Sequence, residues 1–246
     1  MKLFDAHFHI IERGVPLEGN RGYIPEPFGV EDYLERVKGL NVVGGAVVAG
    51  SFHGSDYTHI LRAIEKLGSG FVGVINPVEL SRWQVEELNL KGIRGIRFNV
   101  VRCGKGVLKD IERLAYLAHD AAGWHVELYV ENRMLKEIKP LLASLPAVCI
   151  DHLGLTKKGF DTLLELAREG VRVKASGFGR AELCVKEAIR ELASANPHCL
   201  LFGTDLPSTR SPRPFSKGDV ELVKRALPQD LAEMALYRNA LEFYRP

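Results

Sequence analysis

Eight short runs rich in Val, Ile, Leu and Phe, separated by segments of helical character, restrict this chain to few architectures. The runs lie near residues 2–9, 41–49, 70–76, 93–100, 124–130, 146–152, 171–176 and 198–205. Helical segments alternate with them: Glu31 to Lys38, Ser55 to Leu67, Ser81 to Leu90, Leu108 to Ala122, Asn132 to Ser144, Gly159 to Glu169 and Arg180 to Ala195, then Gly218 to Leu227 and Leu231 to Phe243. Within 109–122, Ile111, Leu114, Leu117, Ala118 and Ala121 form one stripe, as on a helix packed outside a sheet. Gly39, Gly68, Gly123 and Gly170 close helices just before strands, where a left-handed cap carries little steric penalty. Strands joined through helices run parallel. The pattern predicts an α/β chain, a single (β/α)8 TIM barrel over 1–246, with an open doubly wound sheet as the alternative.

In such a barrel the chemistry sits at the C-terminal ends of the strands. The first strand ends in His7 and His9, which share a face because residues two apart in a strand point the same way. The fourth ends in Arg97 and Asn99, and the guanidinium offers a forked contact to a carboxylate. The fifth alternates Trp124, Val126, Leu128 and Val130 toward the helices with His125, Glu127 and Tyr129 toward the interior. His125, at the start of its strand, reads as a bottom-layer residue. Glu127 and Tyr129 lie nearer the mouth and are assigned to the substrate. On the sixth strand His152 is placed on the face of Val148 and Ile150, with Asp151 beside it. The seventh turns Lys174 and Ser176 inward, Lys174 as filling low in the barrel with a partner, and leads to Arg180 as a loop contact. The eighth ends in Asp205 and is stopped by Pro207. His7, His9, His152 and Asp205 together make either a mononuclear metal site or an acid–base cluster.

Composition removes other classes. Lys and Arg number 33 against 31 Asp and Glu, a net charge of +2 that gives no general attraction to nucleic acid or membrane. The basic run Lys91, Arg94, Arg97, Arg102 and Lys105 does not share a face and reads as mostly solvated. Cys103, Cys149, Cys184 and Cys199 lack Cys-x-x-Cys spacing, so neither a zinc ribbon nor a disulfide framework is expected. Asp5, His7 and His9 interrupt the first apolar stretch, and no run is long enough to span a bilayer, which predicts a cytoplasmic protein. The irregular stretches at about 10–29 and 206–217 follow ligand-bearing strands and are expected to cover the mouth.

The segments Asp5-Ala-His7-Phe-His9, Gly95-Ile-Arg97-Phe-Asn99, Ile150-Asp-His152-Leu-Gly154, Val173-Lys174-Ala-Ser176-Gly177, Gly203-Thr-Asp205-Leu-Pro207 and Tyr237-Arg-Asn-Ala240 resemble the amidohydrolase superfamily. The likeness is to its amidohydrolase 2 type, a branch of TIM-barrel lactonases and hydrolases. It implies His7, His9 and His152 around the reacting centre, Asp205 as base on the hydrolytic water, and Arg97 on a substrate carboxylate or carbonyl. It also implies one divalent ion, zinc or manganese, on His7, His9, His152 and Asp205. Members of the lactonase branch that work without metal leave a metal-free mechanism open. Two departures bear on this: Glu127 or Tyr129 stands where metal-dependent members carry a strand-five histidine, and Arg97 or Asn99 where many carry a strand-four lysine. Leu155 replaces an arginine that dicarboxylate lactonases tend to carry, which disfavours a doubly anionic pyrone.

The expected activity is hydrolysis of a lactone or related cyclic ester, on a small carbonyl- or carboxylate-bearing substrate. The alternatives are a metal-dependent decarboxylase on the same scaffold, a metal-dependent phosphoesterase or DNase, and a non-enzymatic binding protein. Loss of chemistry should erode the polar ring, and here all four members are present.

Overall fold

The computed structural model describes residues 1–19 and 22–246. Eight parallel strands follow one another around a barrel in chain order: β1 Leu3–Phe8, β2 Val42–Val48, β3 Phe71–Ile75, β4 Ile93–Asn99, β5 His125–Tyr129, β6 Val148–Ile150, β7 Arg172–Ala175 and β8 Leu200–Phe202. The outer helices are α1 Val30–Val37, α2 Thr58–Leu67, α3 Arg82–Leu90, α4 Ile111–Ala122, α5 Asn132–Ser144, α6 Phe160–Arg168, α7 Val185–Ala195 and α8 Lys217–Ala226. Each of the eight expected strands is present, in every case shorter than its apolar run. The expected helix from Arg180 begins instead at Val185, because Arg180 belongs to a 3-10 turn, Phe178–Arg180, and is held by Asp205. No helix among the described residues is long and apolar enough to cross a membrane.

Two apolar layers follow from strand alternation. Side chains such as Val126, Leu128, Val173, Ala175 and Phe202 face the helices in the larger core. Phe4, Ala6, Ala46, Val48, Val72, Val74, Cys149 and Leu201 fill the barrel itself. The C-terminal segment closes the lower end as helical pieces Gln229–Glu233 and Asn239–Tyr244 joined by a π turn, Met234–Arg238. Tyr244 is fully buried, stacks on Phe4 at 5.4 Å and donates its hydroxyl to Glu127 Oε1 at 2.7 Å.

The seam between β8 and β1 is formed beside the candidate ligands. The Asp205 amide donates to the His7 carbonyl at 2.7 Å and the His9 amide to the Leu206 carbonyl at 2.7 Å. Below that seam the buried Asp5 carboxylate accepts from the Thr204 amide and hydroxyl at 2.8 and 2.7 Å, and from Tyr33 Oη at 3.1 Å. Asp5 is thus a clamp between the first and last strands. Gly203 makes the close approach possible, since a Cβ there would stand 2.8 Å from His7 Cβ.

Candidate active site

His7 and His9 leave β1 toward the barrel axis, with ring centroids 5.0 Å apart. The His9 Nδ1 lies 2.7 Å from the Val48 carbonyl oxygen. A carbonyl only accepts, so Nδ1 carries the proton and Nε2 keeps its lone pair. Burial, with Arg97 nearby, lowers the His9 pKa to about 3, so the ring is neutral.

His152 also enters the site, with its ring 4.7 Å from that of His7, but by a different route from the one expected. Val148 and Ile150 face the helices, so continuing their face would turn His152 outward. Alternation instead sends Cys149 and Asp151 inward. His152 reaches the centre because the chain turns at positive φ, 54° at His152 and 55° at Leu153, immediately after β6. Ser176 Oγ fixes its Nδ1 at 2.8 Å. Gly177, at φ 57°, leaves the space: a Cβ there would approach His152 Nδ1 to 2.7 Å.

Asp205, also at positive φ, is buried against these rings. Arg180 donates twice to its Oδ2, from Nε at 2.9 Å and Nη2 at 2.5 Å. The other oxygen, Oδ1, has no hydrogen-bond partner and faces His7 Nε2 at 3.9 Å and His152 Nε2 at 3.8 Å. Burial raises the Asp205 pKa against the opposing pull of Arg180.

Arg97 lies at the floor of the opening. It donates from Nε to Asp151 Oδ2 at 2.8 Å and from Nη1 to the Ala49 carbonyl at 3.0 Å, and sits 5.3 Å from the Tyr129 ring centroid. The opening is a cleft of about 40 Å³ at the C-terminal end of the barrel. His9, Arg97, Asn99, Tyr129, His152, Arg180 and Asp205 line it, all from the expected set, together with Tyr23, Ser51, Arg102, Thr209 and Arg210. Tyr23 and Arg210, from the two long irregular stretches, pack on each other at the mouth, Cζ 4.2 Å from the ring centroid.

Three expectations need correction. Glu127 does not line the opening; it lies beneath, bonded to Lys174 Nζ at 2.5 Å, Tyr244 Oη at 2.7 Å and His125 Nε2 at 3.2 Å. Lys174 has the expected partner, Glu127, but does more than fill space beside it, because its ammonium also reaches His7 Nδ1 at 3.0 Å and Asp151 Oδ1 at 3.4 Å. The basic run is not mainly solvated: Arg97 and Arg102 line the opening, while Lys91 and Lys105 pair with Glu87 and Glu137 on the surface. Arg102 owes its place to a one-turn helix, Val100–Cys103, capped by Asn99 Oδ1 accepting from the Arg102 amide at 3.0 Å. Period-2 alternation from Cys149 would have assigned Asp151 to the interior. No comparable signal marked Tyr23 or Arg210.

A divalent ion can be tested against this donor set. Ligand atoms of His7, His9 and Asp205 lie within 4.8 Å of one another, and His7 Nε2 and Asp205 Oδ1 lack protein partners. Ligands on a tetrahedral zinc at about 2.0–2.1 Å stand about 3.3 Å apart, so the 3.8 and 3.9 Å spacings to Asp205 Oδ1 need only slight closure. Burial, with help from neighbouring cations, also keeps the His7 and His152 pKa values well below the ordinary imidazole range, leaving neutral rings. His7, His9 and Asp205 fit an ion only where His7 carries its proton on Nδ1, the nitrogen that lies 3.0 Å from Lys174 Nζ.

The family described as amidohydrolase matches residues 4–245. The chain is 25% identical over 228 residues to a 4-sulfomuconolactone hydrolase of Rhizobium radiobacter, covering 83% of this chain and 75% of that protein. It is 27% identical over 278 residues to a 2-pyrone-4,6-dicarboxylate hydrolase of Comamonas testosteroni, covering 98% and 90%. Among solved structures, a probable 2-pyrone-4,6-dicarboxylic acid hydrolase of Acinetobacter baumannii with citric acid bound superposes at TM-score 0.80 over the full length of both chains, at 21% identity. An Agrobacterium tumefaciens protein superposes at 0.84, covering 99% of this chain and 96% of its own, at 20% identity. These two superpositions establish the shared barrel fold.

Proposed function

The chain belongs to the amidohydrolase family, and from that premise we propose that it opens a small anionic lactone, or a related cyclic ester, by attack of water on the ring carbonyl. The observation that carries the reading is Asp205 Oδ1, a buried acceptor without a partner beside two imidazole Nε2 atoms, while Arg180 holds the other carboxylate oxygen. The names of the two hydrolase relatives, both for lactone substrates, support it.

In this mechanism Asp205 Oδ1 takes a proton from water as the water oxygen bonds to the carbonyl carbon. The carbonyl oxygen becomes an oxyanion, stabilised by an imidazole N–H of the histidine cluster. Collapse re-forms the carbonyl and breaks the ring C–O bond, and the proton held by Asp205 passes to the departing oxygen. The products are a carboxylic acid and a hydroxyl or enol on one chain. A zinc or manganese ion, where bound, would sit on His7, His9 and Asp205, with His152 beside them, and supply Lewis-acid polarisation of the same carbonyl.

Four guanidinium side chains, Arg97, Arg102, Arg180 and Arg210, border the opening. Arg180 is committed to Asp205, and Arg97 retains part of its fork for a ligand. Arg102 and Arg210 add positive charge at the rim. This supports a substrate bearing one or two anionic groups and weighs against the expectation drawn from Leu155. Leu155 is buried and lies outside the lining, so its identity does not measure the capacity for anions.

The test is a panel of anionic and neutral lactones, phosphate monoesters and unsaturated carboxylic acids, followed by pH-stat, absorbance, carbon dioxide and phosphate release. Ring opening of an anionic lactone, with one acid equivalent per ring, is expected. Carbon dioxide or phosphate release with every lactone intact would replace the proposal by a decarboxylase or a phosphoesterase.

A further inference from the structure

The two histidines of β1 are not equivalent in hydrogen bonding. We infer that Lys174 is a positioning residue that holds the His7 proton on Nε2, so that His7 and His9 present one donor and one acceptor to the reacting centre. This goes a step beyond the hydrolytic reading and rests on it for its catalytic meaning.

An ammonium has three N–H donors and no lone pair. Around the fully buried Lys174 Nζ stand Glu127 Oε2 at 2.5 Å, His7 Nδ1 at 3.0 Å and, as an ion-pair neighbour without a hydrogen bond, Asp151 Oδ1 at 3.4 Å. With its two carboxylate neighbours the ammonium stays charged, and it can meet His7 Nδ1 only if that nitrogen offers a lone pair. A neutral ring then carries its proton on Nε2, the atom that faces Asp205 Oδ1 across 3.9 Å and has no protein partner.

The competing arrangement puts the proton on Nδ1, donated to Asp151 Oδ1 at 3.4 Å. It would set an N–H against an ammonium N–H at 3.0 Å, two donors facing each other inside the barrel. At His9 the Val48 carbonyl enforces the opposite choice and leaves Nε2 with its lone pair. A metal on His7 Nε2 requires the arrangement that Lys174 disfavours. Lys174 therefore turns the His-x-His pair from two metal donors into one hydrogen-bond donor and one acceptor, and the His7 N–H is in place for the oxyanion.

The tautomers are read without substrate, so failure here is separable from failure of the lactone reading. Protein labelled with ¹⁵N-histidine and purified with chelator is examined by two-bond ¹H–¹⁵N correlation spectra, with His7 and His9 signals assigned by their loss in His7→Asn and His9→Asn. The expected wild-type pattern is Nε2–H for His7 and Nδ1–H for His9. The double variant Lys174→Met with Glu127→Gln keeps the buried charge balanced, and in it His7 should move to Nδ1–H. Zinc affinity of that variant, by calorimetry, should rise about tenfold or more, the scale on which groups behind a ligand act. An Nδ1–H signal for His7 in the wild type overturns the inference whether or not the variant folds. So does a folded variant whose His7 tautomer and zinc affinity match the wild type.

Discussion

Asp205→Asn tests the base assignment, and the surroundings of Asp205 fix what the change does. Arg180 donates to Oδ2 from two nitrogens, so the Asn carbonyl oxygen should keep that side and the amide nitrogen should take the place of Oδ1. The atom that faced His7 Nε2 at 3.9 Å and His152 Nε2 at 3.8 Å then becomes a donor that cannot accept a proton from water. Loss of a general base lowers kcat by about 10²–10⁴, equivalent to roughly 3–5 kcal/mol in the barrier. KM should move far less, since Arg97 and Arg102 are untouched. Circular dichroism should report an intact fold, because shape and one acceptor survive. The assay is kcat for the best lactone of the panel, in chelator and again with added zinc or manganese. If Asp205 serves chiefly as a metal ligand, added metal should restore part of the rate. A rate within threefold of wild type in chelator would refute both roles.

Two further outcomes follow from the same geometry. Arg97→Lys should lower kcat/KM by more than about tenfold, roughly 1.4 kcal/mol, because a single ammonium cannot hold Asp151, meet the Ala49 carbonyl and leave part of a fork toward the ligand; unchanged constants would confine Arg97 to its ion pair. Acid should destabilise the fold through His59, whose pKa burial lowers to about 4. Between an unfolded value near 6.5 and about 4 the unfolded chain binds a proton that the folded chain refuses, so stability is full above 6.5 and declines as pH falls through that window. Asp5, raised by burial to about 6, works in the opposite sense over much of the same range, so the clean measurement is a difference. His59→Gln should lose about 3 kcal/mol less than wild type between pH 6.5 and 4 in urea titrations, and parallel curves would remove His59 from the account.

The barrel was legible because its signal is repeated. Eight apolar runs, each followed by a helix, specify a parallel sheet even when single boundaries slip, and alternation placed His7, His9, Arg97, Tyr129 and Lys174 on the inner face. His152 was assigned to the site through a face that points outward. The turn that brings it in depends on positive φ at two residues that are not glycine, a conformation sustained by surrounding packing and unmarked in the local sequence. Arg102 shows the same limit: it lies past the strand end, where a one-turn helix rather than alternation sets its direction.

Depth along the barrel is the other quantity that alternation leaves undetermined. Arg97 and Glu127 are direct partners across β4 and β5 and point to the same side, yet Arg97 lines the opening and Glu127 lies below it. The difference lies in reach and in partners. A guanidinium on a long stem climbs to Asp151 and the Ala49 carbonyl, whereas the shorter carboxylate is held down by Lys174, Tyr244 and His125. A buried carboxylate is costly unless paired, which made Glu127 a candidate contact in the sequence. The same cost, met by a lysine 47 residues further along and a tyrosine 117 residues away, places Glu127 behind His7 instead of against the substrate.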